Sequence, residues 1–330
     1  MRALVCNEIG AFDSIGPGEL PEPVPGEGEL VIDVRFCALN FADLLVIQDL
    51  YQFRSVPPFA PGLEGVGVIS SVGPGVEGFS VGDRVAGVGY SGALAERWCV
   101  QASNVVHVPD DIDWPTAAAL TIAYGTSYHA LKQRAAIKQG ETLLVLGAAG
   151  GVGSAAVDIG SASGATVLAA VSSDDKAAFC RDLGADHTIN YATDDLREAV
   201  KTLVGPAGID VVYDPIGGAI SEAAFRSLGW RGRHLVVGFA SGDIPSLPMN
   251  LPLLKGASLI GVFWGSFTAH EPEENQRNAA ELFDLVRSGA IDPAVAATLE
   301  LSEARRGLDM LARREVKGRV LVEVAGDVSD

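Results

Sequence analysis

The stretch LLVLGAAGGVGSAAV, residues 143–157, decides the fold. Its apolar half, with Thr142 before it, is an uninterrupted buried strand of the kind that a parallel sheet covers on both faces. The strand runs into a turn holding Gly147, Gly150, Gly151 and Gly153, and an Ala-rich helix over 152–163 leaves that turn. A pyrophosphate needs backbone N–H groups facing it with no side chain in the way. Glycine permits that approach, and the helix N-terminus adds partial positive charge. Gly153 lets helix and strand lie close. A plain strand-to-helix turn without a ligand would use the same glycines.

Toward the C-terminus, strands at 166–171, 187–189, 209–213 and 233–237 alternate with helices at 176–183, 194–204 and 221–228. That rhythm predicts a doubly wound parallel sheet with right-handed crossovers. NAD binders place an acid about 20 residues after the glycines, for the ribose 2′-hydroxyl. Here the chain reads Ser172-Ser173-Asp174-Asp175-Lys176. Small hydroxyls hold the critical place and Lys176 follows within reach of a 2′-phosphate, which favours NADP(H). The other reading makes Ser173 a helix cap, the aspartates complements of the helix dipole, and Lys176 a solvated side chain.

Toward the N-terminus, strands at 29–38, 66–72, 83–88, 93–100 and 105–108 are closely punctuated by Gly and Pro, as in a small all-β barrel. Helices at 115–120 and 124–132 lead into the glycine-loop region. A strand LIGVFW (259–264), a helix over 272–288, a short helix and a strand over 317–324 close the chain, and this last portion is expected to return to the first domain. The expected domains are 1–122, 123–262 and 263–330.

A chain of 330 residues suits two domains. A net charge of −18 repels nucleic acid and anionic lipid. No apolar stretch approaches the ~18 residues of a membrane span, and the first apolar run is too short for a signal peptide. The four cysteines are far apart and form no CxxC pair, which fits a reduced, cytoplasmic protein.

GVGVISSVGPGVEGFSVGDRV (65–85), AYGTSYHAL (123–131), the glycine loop, LGADHTINY (183–191), IDVVYDPIGG (209–218) and GFASG (238–242) occur in this order along nearly the whole chain. Together they resemble the quinone oxidoreductase branch of the medium-chain dehydrogenase/reductases. The resemblance implies an α/β fold: a Rossmann doubly wound parallel sheet, plus a GroES-like small β-barrel built from both chain ends. Zinc-dependent members carry a Cys, a His and a Glu or second Cys. Asn40 stands here in place of the Cys and Leu63 in place of the His, while Glu64 remains. Asparagine and leucine cannot replace thiolate and imidazole on tetrahedral zinc, so chemistry without a metal is expected. The four-cysteine lobe is also missing, since GALAERW (92–98) runs straight into the next strand.

The resemblance further implies that Thr126 meets the nicotinamide side, that Ala149, Gly150, Gly151 and Val152 lie under the pyrophosphate, that Ser172, Ser173 and Lys176 face the 2′-phosphate, and that Tyr191 lies beside the adenosine. It puts Gly217 near the ribose, Phe239, Ala240, Ser241, Phe263 and Trp264 around the nicotinamide, and Arg319 of KGRVLV near the cofactor. Core packing is the other reading for Tyr191, Phe263 and Trp264. Without zinc, a hydrogen-bond donor must polarise the acceptor carbonyl. Asn40 is the first candidate and Tyr51 the second, both flanking a cleft expected between the domains, although Asn40 fits a helix cap as well. Asp43 reads as structural. Family members often carry a Tyr five residues beyond the Asn, where this chain has Leu45. The implied function is zinc-independent hydride transfer from NADPH to quinones or similar conjugated carbonyls, by a homodimer. The rivals are an NADPH-dependent reductase of enones or enoyl thioesters, and a non-catalytic NADPH-binding protein.

Overall fold

The computed structural model describes residues 1–10 and 12–325. In chain order the first elements are β1 (Arg2–Cys6), β2 (Ile15–Glu19), β3 (Glu29–Leu39), α1 (Phe41–Ile47), β4 (Glu64–Val72), β5 (Arg84–Val88), β6 (Arg97–Gln101), β7 (Val105–His107) and α2 (Trp114–Tyr128). Then come β8 (Thr142–Leu146), α3 (Gly151–Ala162), β9 (Thr166–Val171), α4 (Asp174–Asp182), β10 (His187–Asn190), α5 (Leu196–Val204), β11 (Ile209–Asp214), α6 (Ala219–Arg226), β12 (Leu228–Val236), α7 (Asn250–Lys255), β13 (Ser258–Gly261) and α8 (Trp264–His270). The chain continues with α9 (Pro272–Arg287), β14 (Val295–Glu300), α10 (Ala304–Ala312) and β15 (Arg319–Glu323).

The contacts divide the chain into two units. Unit 1 takes Met1–Ile122, Thr268–Phe283 and Ala294 onward, and unit 2 takes Ala123–Phe267 and Asp284–Pro293. The expected segment 263–330 is therefore shared between them. Its unit 2 portion is held by the Asp292 N–H, which donates to Asp158 Oδ2 at 3.0 Å, and by Trp264, whose ring lies where a Cβ on Gly125 would be. The last five positions of that segment lie outside the described residues.

Unit 1 is built on β3. Its first half pairs with β6, it pairs with β4 along most of its length, and its last residues pair with β15. The sheet runs β14-β15-β3-β4-β5-β7, with β6 on β3, and only β14–β15 is parallel. Trp98 of β6 is buried under β4 and β5, and a Cβ on Gly87 or Gly89 would come within 3.0 or 2.7 Å of its ring. The strand expected at 93–100 starts only at Arg97, because Ala93 and Leu94 spend their N–H groups on Gly62 and Pro61 carbonyls. β1 and β2 form a separate antiparallel pair that sequence patterning does not predict. α2 is one helix where two were expected, and it continues into a π-helical turn over His129–Arg134.

Unit 2 is a six-stranded parallel sheet in the order β10-β9-β8-β11-β12-β13. The strand order reverses between β8 and β11, and a crevice at such a switch point, beyond the strand C-termini, is where doubly wound sheets bind ligands. Leu144, Leu146, Leu168, Ala170, Val212 and Phe225 fill its core without exposed surface. The strand expected through Trp264 ends at Gly261, because Trp264 turns inward to begin α8. No helix among the described residues is long and apolar enough to cross a membrane.

Candidate functional site

β8 delivers the glycine loop to the switch point. Gly147 has φ +58°, a left-handed conformation that costs glycine little, and its carbonyl accepts the Gly150 N–H at 3.0 Å. Gly150 caps α3 with extended backbone, and the first helical bond runs from the Ser154 N–H to the Gly150 carbonyl. The N–H groups of Gly151, Val152 and Gly153 thus start the helix without an intrahelical acceptor. A Cβ on Gly153 would stand 2.3 Å from the Gly147 carbonyl oxygen, so only glycine closes the loop against the helix. This is a cradle fit for a dinucleotide pyrophosphate, with Ala149, Gly150, Gly151 and Val152 at its turn. Ser127 of α2 braces it: its Oγ donates to the Val152 carbonyl at 2.9 Å and lies 2.9 Å from the Tyr213 hydroxyl. Its neighbour Thr126 is largely buried.

Across the switch point, Asp214 at the end of β11 shapes the facing wall. Its Oδ1 accepts the Ile216 and Gly217 N–H groups, both at 2.9 Å, and its Oδ2 accepts the Ser221 hydroxyl and His234 Nε2. Burial pushes this carboxyl up, but the bonds from His234, Ser221 and Gly217 outweigh it and hold the carboxyl below its ordinary value. Gly217 has φ +70°. Ala240 and Ser241 donate their N–H groups to the Pro215 and Ile216 carbonyls, which ties the Phe239–Ala240–Ser241 turn to the same wall. Phe263 is half exposed, whereas Trp264 is buried against Gly125 in a packing role. Ser127, Tyr213 and Asp214 were not singled out in the sequence, since nothing local marks a hydroxyl or carboxylate that acts through the backbone of a distant loop.

The third part of the crevice is the exit of β9. Ser173 caps α4, its Oγ accepting the Lys176 N–H at 3.3 Å. The Lys176 ammonium also reaches Ser172 Oγ at 3.5 Å, which brings this pair together at the strand end. Asp174 is turned to Asn190, whose Nδ2 donates to it at 2.9 Å. Tyr191 packs on the sheet core, and its N–H donates to the Val171 carbonyl at 2.9 Å.

In unit 1, Asn40, Asp43, Glu64 and Arg319 form a buried polar cluster. Asn40 is the N-cap residue of α1. Its Nδ2 donates to the Ala38 carbonyl at 3.1 Å and to Glu64 Oε1 at 2.7 Å, and its Oδ1 accepts Arg319 Nη1 at 3.0 Å. Arg319 Nη2 also donates to Glu64 Oε1, while Glu64 Oε2 accepts the Ile122 N–H at 2.6 Å. The Asn40 amide, expected to polarise the acceptor, has both hydrogens and its oxygen committed. Arg319 is the buried counter-charge that Glu64 requires, and among the described residues only its Nε lacks a partner. Tyr51 remains half-buried, and among the described residues its hydroxyl has no hydrogen bond.

Asp43 Oδ2 accepts the Asn40 N–H at 2.7 Å, and its Oδ1 has no hydrogen-bond partner among the described residues. Burial above all pushes its carboxyl up to about 7; the Glu64 charge adds to this, against the Asn40 N–H and Arg319. Between the unfolded value near 3.8 and about 7, the folded protein keeps a proton that the unfolded chain has lost. Stability therefore falls as pH rises through that window and levels off above it. Asp43→Asn removes this loss. Its stability relative to wild type should rise by about 2–3 kcal/mol between about pH 5 and about pH 8. Urea unfolding at the two pH values checks this, and a constant difference would refute it.

A switch-point crevice with a glycine cradle, carried with a GroES-like unit, defines an oxidoreductase of the medium-chain dehydrogenase/reductase class. A family model described as zinc-binding dehydrogenase matches residues 151–284, and one described as alcohol dehydrogenase GroES-like domain matches residues 26–110. Quinone oxidoreductase-like protein 2 of Bos taurus is 39% identical over 325 residues, covering 98% of this chain and 92% of its own. The Escherichia coli quinone oxidoreductase, solved in complex with NADPH, has a TM-score of 0.90 at 28% identity, covering 98% of this chain and 100% of that one. A mycobacterial protein solved with NADPH gives 0.91 at 33% identity, with 98% and 100% covered. The chain belongs to the zinc-independent quinone oxidoreductase branch of this superfamily. Among the described residues, no group of three or more His, Cys, Asp or Glu side chains is placed to hold a metal ion.

Proposed function

We propose that this chain binds NADPH and reduces quinones or similarly conjugated carbonyl compounds. The observation that carries the cofactor choice is the Ser172–Lys176 pair at the exit of β9, where an acid would select NAD. Bound NADPH supplies a hydride from nicotinamide C4; with one proton from water, a quinone becomes a hydroquinone and NADP+ is left. The Gly151–Gly153 N–H groups hold the pyrophosphate, Thr126 and Phe239–Ser241 flank the nicotinamide, and Lys176 neutralises the 2′-phosphate. Tyr51 donates to the acceptor oxygen. Burial raises its phenol, helped by the charges of Asp43 and Tyr90, so it keeps its proton for this bond.

Lys176→Ala should cut kcat/KM for NADPH about 10- to 100-fold, the worth of one charge-assisted bond, and barely change it for NADH. Parallel losses for both cofactors would remove Lys176 from this role. A panel of a naphthoquinone, an alkyl enone and acrylyl-CoA separates quinone reduction from alkene reduction.

The chain also forms a homodimer in this reading. Among the described residues β13 is an edge strand that pairs only with β12, and Leu259 on it, like Leu253 and Leu254 of α7 and Trp230 of β12, is exposed. Such an apolar edge needs cover, and a second copy of the same edge supplies it. Sedimentation at micromolar concentration should give a dimer, and a monomer would defeat the assignment.

A further inference from the structure

Unit 2 holds a buried carboxyl that neither the glycine cradle nor the Asp214 wall uses. Asp158 interrupts the apolar run of α3, between Val157 and Ile159, and is 8% exposed. Its Oδ2 accepts the Tyr124 hydroxyl at 2.7 Å and the Asp292 N–H at 3.0 Å, and all three residues belong to this unit. A neutral amide at 158 would accept both bonds without burying a charge.

Tyr124 and Ser127 stand three positions apart on α2, so they share a face of that helix. Ser127 Oγ donates to the Val152 carbonyl in the first turn of α3, and Tyr124 reaches Asp158 further along the same helix. α2 is thereby fastened to α3 at two rungs. Beside them, Gly125 receives the Trp264 ring, which a Cβ there would meet at 2.6 Å. Thr126 lies between the rungs, so together they fix its height and rotation relative to the start of α3. One rung ends on a backbone carbonyl, which does not titrate, and the other on a carboxyl, which does. Burial pushes the Asp158 carboxyl up to about 6; the Asp292 charge adds to this, against the bonds from Tyr124 and the Asp292 N–H. Tyr124 of α2 and Asp292 of the segment after α9 are the titratable groups that face it. A bond to an ionised acceptor is about twice as strong as one to a neutral acceptor, so the Tyr124 rung weakens when Asp158 takes up a proton.

We propose that Asp158 is a positioning residue for the nicotinamide: as a carboxylate it holds Tyr124, and through it Thr126, in place relative to the glycine cradle, and on protonation it releases that hold. The inference rests on the proposed place of Thr126 beside the nicotinamide, and it makes that place depend on pH. The cradle itself and the Ser127 rung carry no titrating group. Protonation therefore changes how the ring is held and leaves the grip on the pyrophosphate as it was.

The test compares the full chain with its Asp158→Asn and Tyr124→Phe variants from about pH 5 to about pH 8. NADPH titration, followed by the emission of the bound nicotinamide, gives Kd and the state of the ring, and turnover of a naphthoquinone gives kcat. As pH drops through about 6, wild-type kcat should fall about fivefold and the bound emission should fall with it, at constant Kd. Both variants should show the low-pH values throughout, again at wild-type Kd. Asp158→Asn should melt no lower than wild type at the alkaline end, because a carboxyl raised by folding destabilises the fold once it is charged. Its slower turnover would then not be a loss of structure. Wild-type emission in both variants would overturn the proposal whatever the turnover, and so would a loss of NADPH affinity as large as the loss in kcat. If the emission follows the expected pattern and no quinone is reduced, the positioning role stands and only the acceptor reading fails. No NADPH binding by wild type would overturn the cofactor reading and this inference with it.

Discussion

Replacing Arg319 with methionine should destabilise the protein by about 3–5 kcal/mol, the cost of leaving a buried charge without its partner. Glu64 has no exposed surface and Arg319 is 3% exposed, so water cannot take over for the missing guanidinium. Glu64 would still accept from Asn40 and Ile122, but burial already raises its carboxyl despite Arg319, and without the cation it would take up a proton. Lysine at 319 should recover only part of the loss, because its single ammonium cannot bridge Asn40 Oδ1 and Glu64 Oε1 as the planar fork does. The double variant Glu64→Leu/Arg319→Met should be more stable than Arg319→Met alone, since it removes both charges. Urea unfolding of the four proteins checks the order. Arg319→Met with wild-type stability would mean that the cluster contributes nothing.

The second large effect concerns the glycine loop. Gly153→Ala should weaken NADPH binding about 100-fold, because its methyl group would meet the Gly147 carbonyl oxygen at 2.3 Å and Ala148 Cα at 2.9 Å. Backbone cannot yield as a flexible side chain would, so the start of α3 must move off β8 and carry its N–H groups from the phosphates. Gly150→Ala is the control. Its φ of −77° suits any residue, and its Cβ would touch the Gly147 oxygen at an ordinary 3.4 Å. That variant should lose less than about tenfold. NADPH fluorescence titration separates the two, and equal losses would show that the close approach at Gly153 does not matter.

The contrast between these glycines shows where reading the sequence stops. The loop motif marks Gly150 and Gly153 alike, whereas the space around each depends on how helix and strand pack. β8 and β9 were readable to the residue, because an apolar run bounded by turn residues leaves little choice. The apolar run 259–264 leaves the strand at Gly261, a stop that its sequence does not mark, since a short hydrophobic segment looks the same entering a helix as continuing a strand. For Asn40, the sequence left donor and cap open, and the structure puts it at the N-cap position of α1. The partners that absorb its amide are a glutamate 24 positions away and an arginine 279 positions away, beyond any local pattern. Phe53 and Tyr90 likewise look ordinary in the sequence, since only the fold brings their two loops into contact.

The span from Asn40 to Arg319 also bears on how the protein is made. During synthesis Glu64 leaves the ribosome long before its cation, and β3 is exposed before β15, the neighbour that completes its C-terminal half. Unit 1 therefore cannot close its interior until almost the whole chain has been translated. The main body of unit 2, drawn from one continuous stretch, meets no such delay. The order of birth is the reverse of the order of completion: the portion translated first is finished last, and its unsealed apolar surface is what chaperones would meet on the nascent chain.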